Sequence, residues 1–110
     1  AEIVSVQNLY NLANRSAEAL LDHCTEHGIG FIPWFPLATG ELSREDGPLA
    51  AAAEEHDATP SQLALAWLLQ RSPVMLPIPG TSSVEHLESN TAAAAIELSD
   101  DELDALTAAA

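Results

Sequence analysis

The sequence predicts an α/β fold built on a parallel sheet. Three short apolar runs show little polar alternation, as strands buried on both faces do. Between them lie segments whose apolar residues recur at helical spacing. Strand-like and helix-like segments take turns along the chain, the order that lays helices over a parallel sheet.

The first run, Ile3-Val4-Ser5-Val6-Gln7, is β-branched and predicts a strand over residues 3–7. Asn8, Tyr10, Asn11 and Asn14 then read as a loop. A helix is expected over residues 16–27, because Ala17, Leu20, Leu21 and Cys24 fall at i, i+3, i+4 and i+7. Gly28 follows as the left-handed residue that ends it. Gly30-Phe31-Ile32-Pro33-Trp34 is the second strand, with Pro33 at odds with it because proline cannot donate to a ladder.

Residues 36–47 carry turn residues without periodicity and read as a loop. Pro48 is placed at the first position of a helix running to His56. Thr59 and Gln62 form a capping box with Pro60 at the first helical position, opening a helix over 62–71. That helix is expected to bury Leu63, Ala66, Trp67 and Leu69. Val74-Met75-Leu76-Pro77-Ile78 is the third strand. Ser82 with Glu85 predicts a capped helix over 83–95, and Ser99 with Glu102 another over 100–108. The repeated β/α units fit either a barrel or a doubly wound sheet.

Composition removes several functions. The 110 residues hold 17 acidic groups, three arginines and no lysine, giving a net charge of −14. A nucleic-acid binder needs a basic face to neutralise phosphates, and docking on anionic lipid needs the same. One cysteine, Cys24, allows no internal disulfide. No stretch approaches the ~20 apolar residues of a membrane span. No secretory leader opens the sequence, so a cytoplasmic location is expected.

Three places can carry chemistry. Ile78-Pro79-Gly80-Thr81-Ser82-Ser83 ends a strand in a glycine and three hydroxyls directly before a helix. Free N–H groups at a helix start bind anions, although the same residues also serve as a plain cap. Trp34 lies where a parallel strand delivers its C-terminal end, the face where ligands bind. There it can stack on a flat ring or pack as a rim aromatic. Gln7 can recognise another carboxamide or simply satisfy a strand end. The string His23-Cys24-x-x-His27 reads as surface histidines beside a core cysteine, so no metal site is expected.

Three segments together resemble the aldo-keto reductases. They are Val6-Gln7-Asn8-Leu9-Tyr10-Asn11, Ile32-Pro33-Trp34-Phe35-Pro36-Leu37-Ala38-Thr39-Gly40, and Ile78 to Ser83 with His86, Leu87 and Asn90. Order and spacing match the family over the whole chain. The resemblance implies that residues 1–110 form the C-terminal portion of a (β/α)8 TIM barrel, from about the sixth strand, with three parallel strands and flanking helices.

By position, the resemblance implies a cofactor-binding part. Gln7 would hold the nicotinamide carboxamide and Trp34 would stack on the nicotinamide ring. Phe35, Leu37, Thr39 and Gly40 would contact the pyrophosphate. Gly80, Thr81, Ser82, Ser83 and His86 would form the pocket for the adenosine 2′-phosphate, and Asn90 would contact the adenine. Gly80, His86 and Ser89 stand where many relatives carry lysine, arginine and glutamate. The resemblance implies NADP as the cofactor, and these departures, which leave only a histidine and hydroxyls for the 2′-phosphate, keep NAD as the second. The family's catalytic Asp, Tyr, Lys and His come from earlier strands, so no catalytic residue is expected in this chain.

The implied function is NAD(P)H-dependent reduction of aldehydes or ketones, with this chain inactive alone. The alternative is a noncatalytic nucleotide-binding or interaction module derived from the barrel. Three parallel strands cannot close a barrel. The expected partners are therefore the nicotinamide cofactor and either the N-terminal half of the barrel or a second copy of the chain.

Overall fold

Strands β1 (Ser5–Leu9) and β2 (Gly30–Trp34) pair in parallel, with Gln7 opposite Ile32 and Leu9 opposite Trp34. The computed structural model describes residues 1–34, 44, 46–47 and 49–109. β1 begins two residues later than the β-branched run suggests. Ile3 and Val4 precede it, 65% and 73% exposed. Helix α1 (Glu18–His27) crosses between the strands and buries Leu21 and Cys24, while Ala17 and Leu20 are half-buried. Gly28 ends it at φ +66°, and the Ile29 N–H returns to the Cys24 carbonyl at 2.9 Å.

The third expected strand, over residues 74–78, is reduced to one bridge between Phe31 and Met75. The Phe31 N–H donates to Val74 O at 2.9 Å, and the Leu76 N–H donates to Phe31 O at 2.8 Å. The next residue of β2 facing that side is Pro33, which has no N–H to continue the ladder. Among the described residues the sheet therefore has two strands, with the 74–78 segment alongside as an irregular third.

The remaining elements are helices α2 (Ala50–Glu55), α3 (Pro60–Arg71), α4 (Val84–Ala92) and α5 (Asp100–Ala109), with a 3-10 turn over Ala93–Ala95 after α4. The capping box predicted for α3 is present. The Gln62 N–H donates to Thr59 Oγ1 and the Thr59 N–H donates to Gln62 Oε1. α3 buries more than the expected stripe. Leu63, Ala64, Leu65, Ala66, Trp67 and Leu68 are all buried, and Leu69 is only half-buried. A helix covered this completely is a core element rather than an amphipathic cover.

The core lies on the helix side of the sheet. Tyr10, read from sequence as a loop residue, is fully buried there. Its ring stacks on Trp67 at 6.0 Å and meets Phe31 edge-on at 5.9 Å. The Trp67 indole N–H donates to Thr107 Oγ1 at 3.0 Å, bringing α5 onto the same cluster. Arg71 closes the edge between α3 and α1, donating to Glu18 at 2.9 Å and to Asp22 at 2.8 Å. Gln70 holds the segment before α5. Its amide donates to Ile96 O and its carbonyl accepts the Leu98 N–H, both at 2.8 Å.

His56, at the end of α2, hydrogen-bonds Glu102 in the first turn of α5. That bond, followed by the Ser99 N–H, holds the Glu102 carboxyl below the ordinary glutamate range. The linked stabilisation is therefore present above the ordinary glutamate pKa and is lost as pH falls through the depressed value. Glu102→Gln keeps an acceptor for the cap but removes the charge. In urea unfolding, wild type is expected to exceed this variant at neutral pH by a margin that shrinks on acidification. A margin independent of pH would contradict the assignment. Trp67→Phe removes the bond to Thr107 and part of the ring stack, so its expected cost is about 2 kcal/mol in the same measurement.

Candidate functional site

Of the expected ligand-contacting residues, the two strands carry Gln7 and Trp34. Gln7 and Trp34 project to the same side, because Gln7 pairs with Ile32 and Leu9 pairs with Trp34 in parallel register. This is the side opposite the buried Phe31 and Pro33. Gln7 is exposed, and Trp34 is 40% exposed. The expected pyrophosphate contacts Phe35, Leu37, Thr39 and Gly40 lie outside the described residues.

The loop after β1 is fixed from below. Asn11 is buried, and its side-chain oxygen accepts the N–H groups of Ala13 at 2.9 Å and Asn14 at 2.8 Å. This Asx turn leads the chain away from the edge into α1. Tyr10, one residue earlier, points the other way. Its hydroxyl donates to Glu18 at 2.9 Å, and burial together with that bond pushes it well above the ordinary phenol range.

Beyond Met75 the chain runs through Pro77 and Pro79 to the start of α4. Ser83, not Ser82, is the cap. Its Oγ accepts the His86 N–H at 3.3 Å, while Thr81 Oγ1 accepts the Ser83 N–H at 3.1 Å. Ser82 is exposed beside them. The hydroxyl cluster thus divides its work, with Thr81 and Ser83 building the turn and Ser82 facing outward.

A groove of about 270 Å³ lies between this turn and the start of α3. Gly80, His86, Ser89 and Asn90 form one side, and Thr59 and Ser61 form the other. Gly80, His86 and Asn90 were expected there. Thr59 was read only as a helix cap and Ser61 was not singled out, since sequence spacing gives no sign that α3 begins against α4. The lining offers hydroxyls, an imidazole and a carboxamide, which suit the sugar, phosphate and base edge of a nucleotide. Among the described lining residues none is Lys or Arg. A second groove of about 240 Å³ adjoins it through Asn90 and is walled by Leu65, Leu69, Pro77, Pro79 and Leu87. Its apolar walls suit a flat ring.

On α1, the rings of His23 and His27 stack at 4.2 Å, and Cys24 is buried. Among the described residues, no cluster of three His, Cys, Asp or Glu could hold a metal ion. No described helix is long and apolar enough to cross a membrane.

The description "Aldo/keto reductase family" belongs to a family model that matches residues 1–110. The chain belongs to this family. It is 50% identical over 106 residues to pyridoxine 4-dehydrogenase of Escherichia coli, covering 96% of this chain and 37% of that protein. It is 58% identical over 97 residues to an uncharacterized oxidoreductase of Schizosaccharomyces pombe, covering 88% of this chain and 32% of that one. The chain thus spans about a third of the length of these curated relatives.

Among solved structures, a thermostable aldo-keto reductase in complex with the inhibitor epalrestat superposes with a TM-score of 0.89 at 36% identity, covering 99% of this chain and 40% of that one. An aldo-keto reductase from Klebsiella pneumoniae in complex with NADPH gives 0.82 at 37% identity, covering 91% and 37%. These aldo-keto reductases are (β/α)8 barrels, and the α/β architecture expected from sequence, with its parallel two-stranded sheet, matches part of that fold.

Proposed function

We propose that this chain is the cofactor-binding part of an NAD(P)H-dependent oxidoreductase that reduces aldehydes or ketones. The observation that carries the reading is the groove between α3 and α4, where Gly80, His86 and Asn90 meet in one donor-rich cleft. The NADPH-bound relative from Klebsiella supports the choice of cofactor.

The roles follow from chemistry. His86, Ser82 and the groove hydroxyls would hold the adenosine 2′-phosphate, with His86 as the cationic group when protonated. Asn90 would pair with the adenine edge, and the neighbouring apolar groove would cover its ring. Gln7 would fix the nicotinamide carboxamide by paired hydrogen bonds, and Trp34 would cover one ring face so that the other meets the substrate. Phe35, Leu37, Thr39 and Gly40 would line the pyrophosphate between the two ends. When bound, the reduced nicotinamide supplies the hydride.

The general acid is expected from another part of the barrel. The chain has no lysine, and its one tyrosine, Tyr10, is buried and donates to Glu18 on the far side of the sheet. Ile3, Val4, Trp34, Leu76 and Ile78 are exposed, apolar area that the remaining barrel strands would cover. Those strands can come from the same polypeptide or from another copy.

Titration with NADPH tests the reading. Trp67 is buried, so quenching is expected to come from Trp34 and to disappear in Trp34→Phe. Equal quenching in that variant, or no binding by wild type, would overturn the assignment. Carbonyl-dependent NADPH oxidation by these 110 residues alone is expected to match the buffer blank. Turnover above it would show that the chemistry resides here.

A further inference from the structure

Gln62 joins the two sides of the groove. Its side-chain oxygen accepts the Thr59 N–H at 3.0 Å and completes the cap of α3. Its amide nitrogen donates to the Ser89 carbonyl of α4, also at 3.0 Å. Thr59 and Ser61 form one wall of the groove, and Ser89 stands on the other between His86 and Asn90. A capping box requires only the acceptor end of this side chain, and glutamate fills that role equally well. The donor end is thus available for something other than starting the helix.

The carbonyl it reaches lies where α4 changes character. At the end of α4, N–H groups turn back to the carbonyls of Asn90 and Thr91 as the chain tightens into the 3-10 turn. Ser89, just before that change, takes the Gln62 amide from across the groove. One carboxamide therefore ties the start of α3 to the backbone of α4, one residue before Asn90. A shift of even about 1 Å in such a clamp is costly for a ligand that touches both sides.

We propose that Gln62 is a positioning residue for the adenosine end of the dinucleotide, acting through its donor bond to Ser89. The inference rests on the cofactor reading above. It concerns a residue that lines neither the nicotinamide end nor the groove itself.

Adenosine 2′,5′-bisphosphate probes one end of the site and nicotinamide mononucleotide the other. Both are titrated against wild type, Gln62→Glu and Gln62→Met. Gln62→Glu keeps the cap acceptor and loses the donor, while Gln62→Met loses both without adding charge. Each variant is expected to bind the bisphosphate about tenfold more weakly, with mononucleotide affinity unchanged. The relative loss in Gln62→Glu is expected to persist at about 0.5 M NaCl, where simple charge repulsion is screened. Wild-type affinity in Gln62→Glu, a loss that salt abolishes, or equal weakening of both fragments would overturn the proposal. If wild type binds mononucleotide but not the bisphosphate, the adenosine-site reading fails first and this inference with it.

Discussion

The burial of α3 is the constraint on which the rest depends. Its residues Leu63 to Leu68 are covered on every side, so the elements around it cannot move independently. Trp67 reaches Tyr10 after β1 and Thr107 on α5. Arg71 reaches α1, Gln70 the segment before α5, and Gln62 reaches α4. Polar groups at both ends of the helix bond neighbouring backbone, from Gln62 and Gln70, and carboxylates, from Arg71, which specifies geometry more sharply than apolar contact alone. The same helix that closes the core therefore also sets one wall of the groove.

The two faces of the sheet follow opposite rules. On the helix side Phe31 and Pro33 are buried and Tyr10 joins Trp67. On the other side lie Gln7 and Trp34, with Leu76 reaching the space beside Gly30, polar and apolar groups together in the open. A sheet face of that composition suits the inside of a barrel, where apolar layers fill the middle and ligand-contacting groups occupy the C-terminal rim. Pro33 marks the boundary between regular pairing and the looser 74–78 segment. That looseness carries the chain across to Gly80 and the start of α4, where the groove begins.

Local chemistry was legible in the sequence, and long-range chemistry was not. Gly28 and the capping pairs Thr59–Gln62 and Ser99–Glu102 are set within four residues, and each performs as its spacing predicts. Adjacent hydroxyls were harder. Ser82 and Ser83 are equivalent as letters, and the choice of Ser83 depends on the turn that Thr81 closes. The apolar run 74–78 promised a strand because its residues suit one. Its failure depends on a proline in a different segment. Gln7, Trp34, Gly80, His86 and Asn90 came from motif resemblance; Gln7 and Trp34 share a sheet face, and Gly80, His86 and Asn90 line one groove. Thr59, Ser61 and the second bond of Gln62 depend on two helices crossing, which no short pattern encodes.

The central claim is that Trp34 and the groove between α3 and α4 together receive a nicotinamide dinucleotide. The most direct measurement is amide and indole chemical-shift mapping by NMR during titration with NADPH. The predicted shifts fall on the Trp34 indole and on the backbone amides of Thr59, Ser61, Gln62 and residues 80–90, while α2 and α5 stay still. Shifts concentrated between α2 and α5, or spread evenly over the chain, would contradict the account.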